Sequence, residues 1–219
     1  VLSDPADWTV STVRKSGGST STWVLPDPLP ADWLPDVSTY TDDAQAGGTG
    51  GIWGTVADDF GVDAPISLDG GNGQLEGVQF YRTTFELDPY DVFDAEIMLA
   101  VDNGAQIFIN GQEIAREISF STENWSPPYS TLTIGRDGTI DPGSVTLFDW
   151  TAASFSDWRV GENELILVVR NPDSDALGGG RFAFRMTVTQ AVPEPATGLL
   201  LLLGALGLAF ARRRCPRKS

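Results

Sequence analysis

Beyond residue 77 the chain alternates apolar and polar residues in short runs, and this period of two constrains the fold more than any other feature. The clearest runs start near Tyr81, Ile97, Ile107, Leu165 and Phe182. Because successive side chains of a strand point to opposite faces of a sheet, each run predicts a strand with one buried face. No segment before the C-terminal tail shows a long 3.6-residue period. The sequence therefore predicts an all-β fold, an antiparallel β-sandwich.

Glycine-containing turns separate these runs, as expected for a chain with 24 glycines. Asn110-Gly111 stands between two alternating runs, and both residue types accept the positive φ angles of a type I′ turn. A tight hairpin is therefore predicted at this position. Asp102-Asn103-Gly104 and Asp137-Gly138 predict further turns.

The chain of 219 residues has no histidine, and its one cysteine, Cys215, lies in a basic tail. This composition excludes Ser-His-Asp and Cys-His catalysis, metal sites that need imidazole, and any intrachain disulfide. Paired carboxylates of the glycosidase type are not excluded by residue type. With so many acidic residues, however, a pair arises by chance and carries no information, so we predict no enzyme and no catalytic residues.

The formal charge of the chain is −16. The part before the tail has 9 basic and 29 acidic side chains, a formal charge of −20. Such a field repels nucleic acid and anionic lipid, so neither is an expected partner of this part. It attracts cations, and two interpretations stay open: a solvated acidic surface, or a structural calcium site whose ligands the sequence does not identify. No cofactor is certain.

The C-terminal tail has three parts in order: Val192-Pro193-Glu194-Pro195, an uncharged apolar run over residues 196–211, and Arg212-Arg213-Arg214. As a helix the apolar run is about 24 Å long, close to the hydrocarbon thickness of a bilayer, and it has no polar face. A transmembrane helix over 196–211 is therefore predicted. The arginines after it are expected to stay cytoplasmic, with the acidic part outside.

This order resembles the PEP-CTERM sorting signal of exported bacterial proteins, over residues 192–219. The resemblance implies a membrane-embedded exosortase-type protease as partner, with cleavage near Pro193, Glu194 and Pro195. It also implies anchoring in the inner membrane before processing, then the cell surface or extracellular matrix of a Gram-negative-type bacterium. A link to exopolysaccharide and biofilm follows from the same resemblance. Because no basic, apolar leader opens the chain, we expect the export signal to be removed or absent from this numbering.

Three segments, 80–85, 101–111 and 161–171, resemble the galactose-binding-like jelly roll found beside many glycoside hydrolases. The resemblance covers roughly residues 51–190 and implies sugar binding at loops on one end of the sandwich, in many cases with a structural calcium. We therefore divide the chain into an irregular N-terminal segment, 1–50, that packs on the sandwich, the sandwich itself, 51–190, and the tail, 192–219. Residues 47–51 are predicted to be a flexible glycine link.

The loop from Glu123 to Tyr129 is the predicted ligand-binding site. An aromatic ring there can cover the C–H face of a sugar, with polar neighbours bonding its hydroxyls. The residues proposed for this role are Trp125, Tyr129, Asn124 and Glu123. Packing of the loop under the rim of the sandwich is the alternative. Trp150 and Trp158 are expected to be core residues.

These observations predict a non-catalytic, exported surface or extracellular-matrix protein that binds carbohydrate, in particular exopolysaccharide. The alternative is a structural or scaffold subunit of the biofilm matrix or cell surface that makes protein–protein contacts. Exposed loop aromatics would favour binding, and long unpaired edge strands would favour assembly.

Overall fold

The computed structural model describes residues 1–2, 4–12, 34–67, 77–89, 92–102, 104–117, 127–143, 148–149, 152, 154–171 and 181–191. These residues form two antiparallel sheets with a hydrophobic core that joins their facing sides. The predicted all-β antiparallel sandwich is thus confirmed.

The elements follow one another as β1 (Thr9–Ser11), β2 (Tyr40–Asp43), β3 (Gln45–Ala46), α1 (Ile52–Phe60), β4 (Ile66–Ser67), β5 (Gly77–Leu87), β6 (Val92–Asp102), β7 (Gly104–Ile109), β8 (Gln112–Glu117), β9 (Ser130–Gly135), β10 (Ile140–Pro142), β11 (Phe148–Asp149), β12 (Gly161–Asn171) and β13 (Arg181–Gln190). Short 3-10 helices span Pro5–Asp7 and Val37–Thr39. The seven-stranded sheet has the order β11-β8-β7-β12-β5-β1-β2, and the six-stranded sheet has the order β10-β9-β6-β13-β4-β3.

The core is built from the alternating residues that the sequence singles out. Leu165 and Leu167 of β12 and Phe182 and Phe184 of β13 are fully buried members of one cluster. Trp8, which precedes β1, packs edge-on against both phenylalanines at 5.8 Å between ring centroids. Burial of several large aromatic and aliphatic side chains, each contributing roughly 1.5–3 kcal/mol, holds the two sheets together without a disulfide.

The N-terminal segment contributes strands to both sheets. β1 pairs with β5 and β2 in the seven-stranded sheet, and β3 pairs with β4 in the six-stranded sheet. The predicted flexible link is fastened at its start, because the Gly47 N–H donates to Pro65 and the Gly48 carbonyl accepts from Arg181. The first two glycines of the link are therefore held in place by hydrogen bonds to the sandwich.

The hairpin predicted at Asn110-Gly111 joins β7 and β8 as a two-residue turn. Asn110 has a φ of 51° and Gly111 a φ of 83°, both in the left-handed region that a type I′ turn requires. This prediction is confirmed.

Helix α1 is an element that the periodicity analysis missed. It buries Trp53, Val56, Ala57 and Phe60, a spacing that places them on one helical face. Gly61, with a φ of 71°, ends the helix in the left-handed conformation. The buried face packs on the outer side of the six-stranded sheet, over Ala100 of β6 and Ala183 of β13.

Within the described ranges, no helix is long and apolar enough to cross a membrane. The predicted transmembrane helix, residues 196–211, lies outside those ranges and stays a prediction.

Candidate functional site

A cleft of about 370 Å³ opens at one end of the sandwich, a volume in the range of small-ligand sites. Three segments that are distant in sequence form its walls. They are the end of β5 with Asp88, the turn between β9 and β10 at residues 136–138, and residues 155–160 before β12. The ends of strands in both sheets thus position the cleft.

The aromatic wall of the cleft is Trp158, whose side chain is half-buried. Its ring lies edge-on to Phe155, with centroids 4.8 Å apart, and to Phe85 at 6.5 Å. Phe155 is fully buried in the core, so the tryptophan ring rests on a rigid support. An indole held in this way offers apolar surface with little loss of side-chain freedom on binding.

The turn between β9 and β10 is locked against the aromatic wall by a glycine. Gly138 has a φ of 81°, and its carbonyl accepts the backbone N–H of Phe155 at 2.8 Å. A Cβ atom at this position would lie 2.6 Å from the Phe155 carbonyl oxygen. Both the backbone conformation and the close approach therefore require glycine here.

Charged groups of both signs line the rim. Asp137 accepts hydrogen bonds from Thr139, including its backbone N–H at 2.9 Å, and these bonds lower the pKa of the Asp137 carboxyl. Arg159 pairs with Asp157 at 2.7 Å. Arg136 is exposed, and no carboxylate of the described chain forms an ion pair with it. The rim thus presents a carboxylate acceptor next to a guanidinium donor.

Asn163 anchors the segment that carries Trp158. This fully buried side chain accepts the Arg159 N–H at 2.9 Å and donates to the carbonyls of Arg159 at 2.7 Å and Gly161 at 3.0 Å. It also accepts the Asn110 Nδ2 donor at 2.9 Å. The β7–β8 turn and the cleft wall are therefore joined through one buried amide.

Of the four residues proposed to bind the ligand, Tyr129 is the one that the structure describes, and its side chain is buried. Its hydroxyl donates to Asp59 Oδ2 at 2.7 Å, and its ring lies edge-on to Phe60 at 5.0 Å. Burial, together with the hydrogen bond and the charge of Asp59, raises the pKa of the phenol. Tyr129 thus packs under helix α1, whereas Trp125, Asn124 and Glu123 lie outside the described residues.

Most of the other residues singled out by the sequence lie in parts of the chain that the structure does not describe. The sorting residues Pro193, Glu194 and Pro195 and the basic stop Arg212, Arg213 and Arg214 lie outside the described residues, as does Trp150. In the part of the chain that is described, no group of three or more metal-ligating side chains is close enough to hold a metal ion. Trp158, expected to be a core residue, does pack on the core, but it also lines the cleft.

The tail supplies the decisive comparison with known proteins. Residues 191–214 match the PEP-CTERM protein-sorting motif. The chain carries a PEP-CTERM sorting signal. This confirms the predicted sorting signal and indicates an exported protein. The PEP-CTERM motif begins at Ala191, directly after the last residue of β13, so the sandwich passes into the signal without a spacer.

The solved structures that match this chain are remote from it. A glycosyl hydrolase family 2 member from Bacteroides cellulosilyticus is 13% identical with a TM-score of 0.40, and the alignment covers 87% of this chain and 20% of that one. The PA14 sugar-binding domain of an RTX adhesin is 15% identical with a TM-score of 0.33, covering 84% and 88%. The PA14 domain of an antifreeze protein is 14% identical with a TM-score of 0.35, covering 87% and 85%. The chain thus spans about a fifth of the hydrolase, and no curated protein matches its sequence significantly.

Proposed function

We propose that this exported protein is a non-catalytic surface or extracellular-matrix protein that binds carbohydrate in the end cleft. The observation that carries the proposal is the position of Trp158, a rigidly supported indole that faces a cleft with charged donors and acceptors at its rim. A sugar has an apolar C–H face and a polar edge, and this arrangement complements both.

The charge of the protein favours a neutral sugar. The part before the tail has a formal charge of −20, which repels polyanions at long range. At the rim, the Arg136 guanidinium donates hydrogen bonds and the Asp137 carboxylate accepts them, as neighbouring hydroxyls of one sugar require. The net charge and the two rim groups together favour a neutral, hydroxyl-rich glycan as ligand over a uronate or a nucleic acid.

The loop of Glu123, Asn124 and Trp125 stays a second proposed carbohydrate-binding site. It precedes β9, whose far end forms the rim turn of the cleft. We further propose a galactose-binding-like jelly-roll topology, the division into 1–50, 51–190 and 192–219, and a structural calcium ion held by acidic loops.

The proposed location is the cell surface or the biofilm matrix. In this proposal, residues 196–211 hold the protein in the inner membrane until an exosortase-type protease cleaves near Pro193–Pro195. An exopolysaccharide of the producing cell would be the ligand after release.

A scaffold function through strand pairing is less well supported. Among the described residues, the strands at the sheet edges are β11, β2, β10 and β3, and each has four residues or fewer there. Short edge strands offer few unpaired backbone groups to a partner chain and protect against edge-to-edge assembly. The long strands β5, β6, β12 and β13 lie inside the sheets.

The test is glycan binding by the full chain, purified in detergent, on an array of neutral and acidic polysaccharides. Trp158→Ala should weaken binding by about 1–3 kcal/mol. Trp158→Phe keeps an aromatic face and should retain most of the affinity. Val37→Ala is the control and should bind like the wild type, since Val37 is 56% exposed and does not line the cleft. Unchanged binding by Trp158→Ala would remove the cleft from consideration, and an array without any bound glycan would leave the scaffold function as the better explanation.

A further inference from the structure

A second hollow, a groove of about 390 Å³, lies on the outer face of the six-stranded sheet. It is lined by outward-facing residues of the neighbouring strands β9, β6 and β13. Residues that are paired across these three strands form two rows. Thr131, Met98 and Arg185 form the first row, and Thr133, Glu96 and Thr187 form the second.

The groove is polar and closed at one end. Arg185 donates to the Asp59 carbonyl of helix α1 at 3.2 Å and contacts Met98 Sδ at 3.7 Å, so the helix forms an end wall. Along the groove, threonine hydroxyls can donate and accept, while Glu96 accepts. Such a lining suits a hydroxyl-rich chain, because a sugar hydroxyl can accept from Arg185, donate to Glu96, and do either with the threonines.

The open end of the groove points along β9 toward the cleft. Thr131, Thr133 and Gly135 are alternate residues of β9 and share the outer face, and Arg136 and Asp137 of the cleft rim follow directly. At the strand rise, Thr131 and Gly135 are about 13 Å apart. The row between the two hollows consists of Gly135, Asp94 and Thr189, so a passage without a side chain exists at its β9 position, bordered by Asp94.

We propose that the groove and the cleft form one binding track for the interior of a linear neutral polysaccharide. This inference rests on the proposed carbohydrate function and extends it from a sugar-sized cleft to a chain-binding surface. The chain lies across the two threonine-containing rows, passes over Gly135 and places one sugar against Trp158. Contacts in both hollows then add, because the second becomes intramolecular once the first is made.

The test compares ligand length. The probes are neutral linear glucan, galactan and mannan fragments, each as disaccharide, tetrasaccharide and hexasaccharide, measured by calorimetry on the full chain in detergent. For the series that binds, affinity should rise by at least about tenfold from disaccharide to hexasaccharide. Equal affinities at all lengths would overturn the inference while leaving the cleft as a site for short sugars.

Gly135→Leu should abolish this gain, since a side chain there blocks the passage between the hollows. The φ angle of Gly135 is outside the left-handed region, so the backbone accepts the change. A Cβ would lie 3.3 Å from Asp137 Oδ1, and Gly135→Ala controls for that contact. The alanine variant should keep most of the length dependence, and the leucine variant should bind hexasaccharide only as well as disaccharide.

A second variant leaves the passage open and alters the groove alone. Thr133→Ala with Thr187→Ala should reduce the hexasaccharide affinity several-fold and leave the disaccharide affinity unchanged. If both variants bind hexasaccharide like the wild type, the track does not exist. A wild type that binds none of the series overturns both proposals. Binding of an extended peptide in the groove instead of glycan would likewise overturn the inference.

Discussion

Asn110 and Asn163 are joined side chain to side chain, with Asn110 Nδ2 donating to Asn163 Oδ1 over 2.9 Å. Asn110 Oδ1 in turn accepts the backbone N–H of Glu164 at 2.9 Å. The β7–β8 turn is thereby fixed to the start of β12, next to the segment that carries Trp158. Two asparagines that are far apart in sequence therefore determine where the aromatic wall of the cleft lies.

Asn163→Ala should destabilise the protein by about 1–3 kcal/mol, because the hydrogen bonds of this buried amide to the carbonyls of Arg159 and Gly161 are lost. Asn163→Asp should be similarly unfavourable, since a carboxylate accepts but cannot donate to those carbonyls. Urea unfolding measures both. Glu162→Ala is the neighbouring exposed control and should stay within about 0.5 kcal/mol of wild type. Equal stabilities of the Asn163 and Glu162 variants would contradict this role.

Gly138→Ala and Gly61→Ala separate conformational strain from steric clash. Both glycines have φ angles in the left-handed region, 81° and 71°, and each substitution should cost roughly 1–2 kcal/mol for that reason. Only at Gly138 would the new Cβ meet an atom, the Phe155 carbonyl oxygen at 2.6 Å, whereas the space at Gly61 is open. Thermal unfolding should show a larger loss for Gly138→Ala, and tryptophan fluorescence should report displacement of Trp158. A larger loss for Gly61→Ala would refute the packing of the turn on Phe155.

The stability of the sandwich should fall as pH rises above about 10. Burial, with a smaller effect of Glu164, raises the pKa of Tyr40, and burial with the Asp59 contact raises that of Tyr129. The folded state therefore keeps both phenol protons while the unfolded chain loses them near pH 10. Above that pH each tyrosine lowers the free energy of unfolding by up to ~1.4 kcal/mol per pH unit.

Urea unfolding at pH 8 to 11 measures this dependence. The Tyr40→Phe, Tyr129→Phe double variant should lose most of the alkaline slope, whatever its stability at neutral pH. A slope equal to that of the wild type would show that other groups cause it.

Replacing Pro193, Glu194 and Pro195 together with alanine should leave the protein uncleaved and in the membrane fraction. Because proline disfavours regular structure, we expect the motif to be extended and accessible to a protease, with the glutamate as a charged recognition point. Intact-mass measurement in the producing cell gives the C-terminus directly. Pro216→Ala, beyond the arginines, is the control and should be processed normally; a mature C-terminus shared by all three proteins would refute recognition of the motif.

The strands could be predicted from the sequence because a sheet with one buried face needs an apolar residue at every second position of each strand. The run at Tyr81–Leu87 and the run at Phe182–Val188 fall within β5 and β13. The Asn110-Gly111 turn was equally accessible, since few residue types accept two successive positive φ angles. The sorting motif could be identified because its three parts are contiguous.

Helix α1 was missed because it has nine residues, two of its neighbours are glycines, and its apolar face is only four side chains. The spacing of Trp53, Val56, Ala57 and Phe60 was the available signal. The cleft could not be predicted at all, since Asp88, Arg136 and Trp158 meet only through strand pairing over long separations. For the same reason, the sequence predicted that Trp158 packs on the core but did not predict that it also lines the cleft.

The passage of β13 into the sorting signal has a mechanical consequence. β13 is paired with β6 from Arg181 to Gln190, and the Gln190 side chain exchanges two hydrogen bonds with the Asp88 backbone where the strand ends. If the tail anchors the protein as proposed, tension on the tail reaches the sandwich through this strand. A pull along the strand axis loads all the hydrogen bonds between β13 and β6 at the same time instead of breaking them one after another. The proposed anchor is therefore attached to a strand that resists mechanical force.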